Sequence, residues 1–218
     1  MPVKLLMFDL DGTLVDTRRD ITNALNYALQ SYRRKQFTVE DTTAMIGEGI
    51  TRLIEKVLGE DQRASRDAVI GNFLGYYAGH LTDYSAVYPS VRETLEALGG
   101  YKKAVISNKR EGLSTRLLEA LDLAKYFALV VGSDTTPHRK PSPVPVIYAL
   151  EKMGVPPHEA AMVGDSNFDI EAGKDAGVTT IAVTYGYRGK EYLTGADCLI
   201  ERFSDLPGIL DRISSELI

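Results

Sequence analysis

Apolar positions change their period along the chain. Residues 3–8 (Val-Lys-Leu-Leu-Met-Phe) are a nearly continuous apolar run, the pattern of a strand buried on both faces. From about residue 17 to residue 80 the period becomes helical. Ile21, Leu25, Ala28 and Tyr32 share one helical face, and Ile50, Leu53, Ile54, Val57 and Leu58 share another. Asp16 or Thr17 is the expected N-cap of the first helix. The pattern then alternates. Helices are expected over 91–98, 144–153 and 170–176, with a further helical face from Leu113, Leu117, Leu118 and Leu121. Strands are expected over 104–106, 128–131, 160–163 and 179–183, and again around Cys198. Leu206, Ile209, Leu210, Ile213 and Leu217 make a closing helix.

Strands and helices alternating through short connections predict a parallel sheet covered by helices on both faces. The first strand is cut off from this pattern by the long helical stretch. The simplest account is a helical domain inserted at a surface loop after that strand. The expected division is residues 1–14 and 85–218 as the α/β core and residues 15–84 as the insertion.

Composition narrows the function classes. With 218 residues, of which 44% are hydrophobic, the chain has material for one large domain or two small ones. A net charge of −5 argues against a basic face for nucleic acid or an anionic membrane. No apolar run is long enough to span a bilayer, and the N-terminus lacks the pattern of a secretion signal. The lone Cys198 excludes an internal disulfide framework and fits a reducing, cytoplasmic location, with a small buried apolar role in its strand. The sequence carries no signal for an oligomeric state. His80, His138 and His158 lack metal-ligand spacing, and packing is the default reading of Tyr185-Gly186-Tyr187.

The chemistry gathers at predicted strand ends, where open parallel sheets bind ligands. After the first strand come Asp9 and Asp11, two residues apart and therefore on one side of an extended chain, followed by Gly12. Converging carboxylates repel unless a cation sits between them, and Mg²⁺ suits few carboxylates with room for water and phosphate oxygens. Gly12 permits a sharp turn or a close backbone approach. After residues 104–106 come Ser107, Asn108 and Lys109; a later loop carries Lys140; after residues 160–163 come Gly164, Asp165 and, further on, Asp169. Ser107 and Asn108 can donate to phosphoryl oxygens, Lys140 supplies a point charge, and Asp165 can join Asp9 at a metal. Each alone has a plainer reading: a helix cap, a solvated lysine, a turn. Their joint order at successive strand ends argues for a phosphoryl-transfer site.

As a set, Asp9-Leu10-Asp11-Gly12-Thr13-Leu14-Val15-Asp16, Ser107-Asn108, Lys140-Pro141 and Gly164-Asp165-Ser166-x-x-Asp169 resemble the four ordered motifs of the haloacid dehalogenase superfamily. The resemblance spans the chain, and the helical insertion is similar to that superfamily's cap. Ile46-Gly47-Glu48-Gly49-Ile50 and Ser107-Asn108-Lys109 look most like its phosphoglycolate phosphatase branch. The resemblance implies an α/β fold with a Rossmann-like parallel sheet core, helices on both faces and an inserted all-helical cap. It implies Asp9 as nucleophile forming an aspartyl-phosphate, and Asp11 as the acid and then the base. Mg²⁺ would be held by Asp9, Asp165 and the backbone carbonyl of Asp11. Ser107, Asn108 and Lys140 would hold the phosphoryl oxygens, and Asp169 would position water ligands or Lys140. Asp11 also separates phosphatases from the superfamily's dehalogenases, which lack it.

The expected activity is Mg²⁺-dependent hydrolysis of a small phosphorylated metabolite, 2-phosphoglycolate first. The alternatives are a pyrophosphatase, a sugar-phosphate or nucleotide phosphatase, a β-phosphoglucomutase-like mutase or, from another class, a receiver-like phospho-acceptor. In the insertion, Gly47 and Gly49 precede a helix whose first turn carries Arg52. They contact a small carboxylate at the substrate's far end, or they merely shape a helix connection beside a solvated arginine.

Overall fold

A computed structural model describes residues 2–32, 36–59 and 65–216. The chain separates into two compact units: unit 1, Met1–Asp16 with Val87–Ile218, and unit 2, Thr17–Ala86.

Unit 1 is built on a six-stranded sheet. β1 (Leu5–Phe8) lies inside it, flanked by β4 (Lys102–Ile106) and β6 (Ala160–Gly164); β5 (Leu129–Val131) lies outside β4, and β7 (Thr179–Val183) and β8 (Cys198–Ile200) lie outside β6. Every pairing is parallel, with Phe8 level with Val105 on one side and Val163 on the other. This is why residues 5–8 read as a continuous apolar run: all four are fully buried. Leu5 and Met7 join Ala104, Ile106, Val146 and Met162 in one core layer. On the opposite face Phe8 packs its ring against Phe127 and Phe203, with centroids 6.1 and 5.8 Å away. The helices are α5 (Val91–Ala97), α6 (Glu111–Ala120), α7 (Val144–Met153), α8 (Asn167–Asp175) and α9 (Leu206–Glu216). Strand order runs outward from β1 in both directions, so the topological switch point lies at the carboxyl ends of β1, β4 and β6.

Unit 2 holds α1 (Arg18–Leu29), α2 (Val39–Thr43), α3 (Ile50–Leu58) and α4 (Arg66–Gly79). Ile21, Ala24, Leu25 and Ala28 of α1 and Leu53, Ile54, Val57 and Leu58 of α3 are buried, as their spacing predicts. Tyr32, grouped with the α1 stripe by period, lies instead in a 3₁₀ turn over Gln30–Tyr32, because the α-helix stops at Leu29. Thr17 stands at the N-cap position of α1. The buried Asp20 accepts hydrogen bonds from the backbone N–H groups of Tyr84 and Ser85 and from the Ser85 hydroxyl, the last two at 2.7 Å. The short strands β2 (Val15–Asp16) and β3 (Ala86–Val87) pair where the chain leaves unit 1 and returns to it.

Two expectations shift. Cys198 is half-buried rather than enclosed, because β8 is an edge strand; its neighbour Leu199 is 47% exposed. Leu217, expected on the closing helix, lies outside the described residues.

Candidate active site

The site begins where β1 ends. The Asp9 N–H donates to the Val163 carbonyl of β6, so the backbone of Asp9 is still tied to the sheet. The chain then turns tightly, and the Leu10 carbonyl accepts from the N–H groups of both Leu14 and Val15 at 3.0 Å. Gly12 has φ +89°, and a Cβ there would overlap the Asp165 carboxylate, so the turn and the close approach both require glycine.

Asp9, Asp165 and Asp169 each bring a carboxylate oxygen within 4.8 Å of the others. Burial pushes Asp9 up from 3.8 to about 7; Lys140 opposes this, while the charges of Asp169 and Asp11 add to it. Burial, with the charges of Asp9 and Asp169, likewise raises Asp165 well above the usual carboxylate range, against the N–H of Tyr187. In both, burial is the main cause and the charges of neighbouring carboxylates add to it. The charged groups gathered here are Asp9, Asp11, Asp165 and Asp169 against Lys109 and Lys140, which leaves two negative charges when all are ionised. A divalent cation fits that deficit and that donor set.

Lys140, 2% exposed, donates to the Ile106 carbonyl and to Asp169 at 2.6 Å, and lies 2.9 Å from Asp9. Burial alone would lower its pKa, but the Asp169 and Asp9 carboxylates outweigh it and the net shift is upward, so the ammonium stays charged. Asp169 is fully engaged by protein: its Oδ1 accepts from Lys140, and its Oδ2 accepts from the N–H and hydroxyl of Ser166 at the start of α8. Asp165 accepts from the Tyr187 N–H on Oδ2, but its Oδ1 has only the Thr13 hydroxyl at 3.5 Å, so Asp9 and Asp165 are the carboxylates a cation could draw on. The Asp11 carboxylate stands apart from this cluster, paired with Lys109 at 2.5 Å.

Ser107 and Asn108 follow β4, both nearly buried. The Ser107 hydroxyl accepts from the N–H of Lys109 at 3.2 Å and keeps its own proton to donate. The Asn108 side-chain NH₂ donates to the Lys140 carbonyl at 2.9 Å, bracing one loop against the other. Gly47, Gly49 and Arg52 belong to unit 2, where Arg52 is more than half exposed and pairs with Glu55 at 2.8 Å, and Glu48 pairs with Lys56.

The segment after β7 is more than packing. The Tyr187 N–H donates to Asp165 Oδ2 at 2.6 Å, and a Cβ at Gly186 would overlap Asp165. The Tyr185 hydroxyl donates to the Thr13 carbonyl at 2.7 Å; burial raises its pKa far above that of a free tyrosine, so it remains a donor. Tyr185 thus braces the turn that carries Asp11. A Tyr-Gly-Tyr run at a predicted strand end was the only available signal. Lys109 was visible in its motif, but nothing local named its partner.

A profile of the haloacid dehalogenase-like hydrolases matches residues 6–183. The chain is 40% identical over 212 residues to the phosphoglycolate phosphatase of Aquifex aeolicus (strain VF5), covering 96% of this chain and 98% of that one. It is 36% identical over 211 residues to the phosphoglycolate phosphatase of Chromobacterium violaceum, with coverage of 94% and 95%. The crystal structure of a predicted phosphoglycolate phosphatase from Haemophilus somnus 129PT matches with a TM-score of 0.88 at 32% identity, covering 95% of this chain and 97% of that one. Among the described residues no helix is long and apolar enough to cross a membrane.

Proposed function

The chain belongs to the haloacid dehalogenase-like hydrolases, and we propose that it hydrolyses 2-phosphoglycolate with the help of Mg²⁺. It is a phosphatase; the substrate and the metal are the parts of this reading drawn from the names of its relatives and from the donor set. One observation carries the reading: Asp9 and Asp165 converge beside Lys140 at the switch point, with Asp11 two residues beyond.

Each residue then has a task. Asp9 attacks phosphorus, its oxygen turned toward the site by Lys140, which touches it at 2.9 Å. Asp11 protonates the leaving alkoxide and then takes the proton of the attacking water. Ser107 donates its hydroxyl to a phosphoryl oxygen, while Asn108 and Asp169 hold the Lys140 loop and ammonium in place. Asp9, Asp165 and the Asp11 carbonyl would hold the cation, which when bound offsets the charge of the phosphoryl oxygens and carboxylates. The partner is a small phosphorylated metabolite, and the compartment a reducing one such as the cytoplasm.

The test is phosphate release from a panel of phosphomonoesters, with the protein first stripped of metal and then given Mg²⁺. The expected result is metal-dependent turnover with 2-phosphoglycolate ranked first. A sugar phosphate, nucleotide or pyrophosphate ranked first would overturn the substrate, and turnover indifferent to chelation would overturn the metal.

A further inference from the structure

Lys109 lies inside the site but has no task in the reaction above. Its ammonium donates to Asp11 Oδ1, with only 6% of the Lys109 side chain and 12% of the Asp11 side chain exposed. The lysine is held by its own backbone. Its N–H donates to the Ser107 hydroxyl at 3.2 Å, and its carbonyl accepts from the Ser133 N–H at 2.9 Å. It therefore projects from a loop fixed at the carboxyl ends of both β4 and β5, while Asp11 projects from the turn after β1. The ammonium across the site is one contact that sets the rotation of the Asp11 carboxylate.

We infer that Lys109 is a positioning residue that aims the Asp11 carboxyl group at the leaving-group oxygen and at the attacking water. The inference rests on the phosphatase reading. In the first half-reaction an Asp9 oxygen forms a bond to phosphorus. The P–O bond to the alcohol breaks with its electron pair going to that oxygen, which takes the proton from Asp11. In the second, water bonds to phosphorus and gives its proton to Asp11, and the P–O bond to Asp9 breaks with its pair returning to the carboxylate. Lys109 neither gains nor loses a proton in either half; it fixes where Asp11 hands over its own. The ammonium donates to Asp11 Oδ1 whether the carboxyl group is protonated or ionised, so the transferred proton is carried on the other carboxyl oxygen and the aim is kept through both half-reactions.

This differs from the two other tasks a buried lysine could have. A phosphate clamp helps every phosphomonoester equally, and a purely structural lysine affects every substrate through folding. A proton-transfer aim matters only where the leaving group needs a proton.

The experiment compares wild type, Lys109→Met and Lys109→Arg on 2-phosphoglycolate, whose alcohol leaves poorly, and on p-nitrophenyl phosphate, whose phenolate leaves without help. The kcat/KM reports the step that forms the phospho-enzyme. Lys109→Met is expected to lose about 10²-fold in kcat/KM on the alkyl ester, the scale of a misaimed acid, and less than about threefold on the aryl ester. The aryl ester should also show a burst of nitrophenol followed by slow turnover, because the second half-reaction still needs Asp11 as base. Lys109→Arg keeps the cation and should recover part of the alkyl activity. An equal loss on both esters, or no loss on either, overturns the inference. Should Lys109→Met fail to fold, Lys109→Gln replaces it under the same two criteria. Wild type inactive on both esters would instead sink the phosphatase reading itself, so the two failures are distinguishable.

Discussion

Asp165 is placed by residues that have no side chain in the reaction. Gly12 and Gly186 close on it from two loops, and the Tyr187 backbone donates to it. A methyl group at position 186 must push Asp165 or the loop aside. Gly186→Ala is therefore expected to weaken divalent-cation binding by about tenfold, the scale seen when groups that orient a metal ligand are disturbed. Isothermal titration of the metal-free protein checks this, and unchanged affinity would show that the loop yields at no cost to the site. This residue also marks a limit of reading from sequence. Asp9, Asp11, Ser107, Asn108, Asp165 and Asp169 were legible because each follows an apolar run that ends at the same edge of the sheet, and Lys140 because it lies on the loop that leaves the next such run. The contribution of residues 185–187 was not, since it comes from a backbone N–H and from the lack of a side chain. The Lys109–Asp11 pair joins residues 98 apart, and spacing along the chain says nothing about such a pair.

At the scale of elements, buried apolar period was a reliable guide and ends were not. The helix over residues 144–153 and the strand over residues 179–183 fall where their patterns put them. Tyr32 keeps the 3.6-residue spacing of the α1 stripe but leaves its face, because the backbone tightens into a 3₁₀ turn. Cys198 is half-buried where its apolar surroundings predict enclosure, because an apolar strand at the edge of a sheet has the same composition as one inside it. Unit 2 depends on a polar element that no apolar period reveals. Asp20 of α1 holds residues 84 and 85, at the far end of the unit's sequence, through two backbone N–H groups and a hydroxyl. Asp20→Ala leaves those donors without their charged acceptor, and about 3 kcal/mol of stability should be lost from the unit. Urea unfolding followed by circular dichroism measures this, with Asp20→Asn expected to lose less. A midpoint unchanged in Asp20→Ala would show that water replaces the carboxylate.

At the scale of the whole molecule, the crowded carboxylates link folding to pH and to metal. Asp9 titrates near 3.8 in an unfolded chain and near 7 in the folded, metal-free protein. Between those values the folded state keeps a proton that the unfolded chain has released, so stability falls as pH rises across that window. A cation needs the carboxylate form, so its affinity should weaken as pH drops below about 7, by up to tenfold per unit for each proton displaced. Melting curves at pH 5 and pH 8 test both signs. The metal-free protein should melt lower at pH 8 as far as Asp9 contributes, and Mg²⁺ should raise the melting temperature more at pH 8 than at pH 5. Equal stabilisation at both values would separate Asp9 from the metal.

In the mechanism proposed above, Asp9 carries the phosphoryl group during turnover. Rapid acid quench of the wild type mixed with 2-phosphoglycolate and Mg²⁺, followed by peptide mass mapping, tests it most directly. The peptide containing Asp9 should gain the mass of one phosphoryl group during turnover and lose it once substrate is exhausted, and Asp9→Asn should show neither the modification nor turnover. A phosphoryl group mapped to another residue, or turnover that persists in Asp9→Asn, would contradict the account.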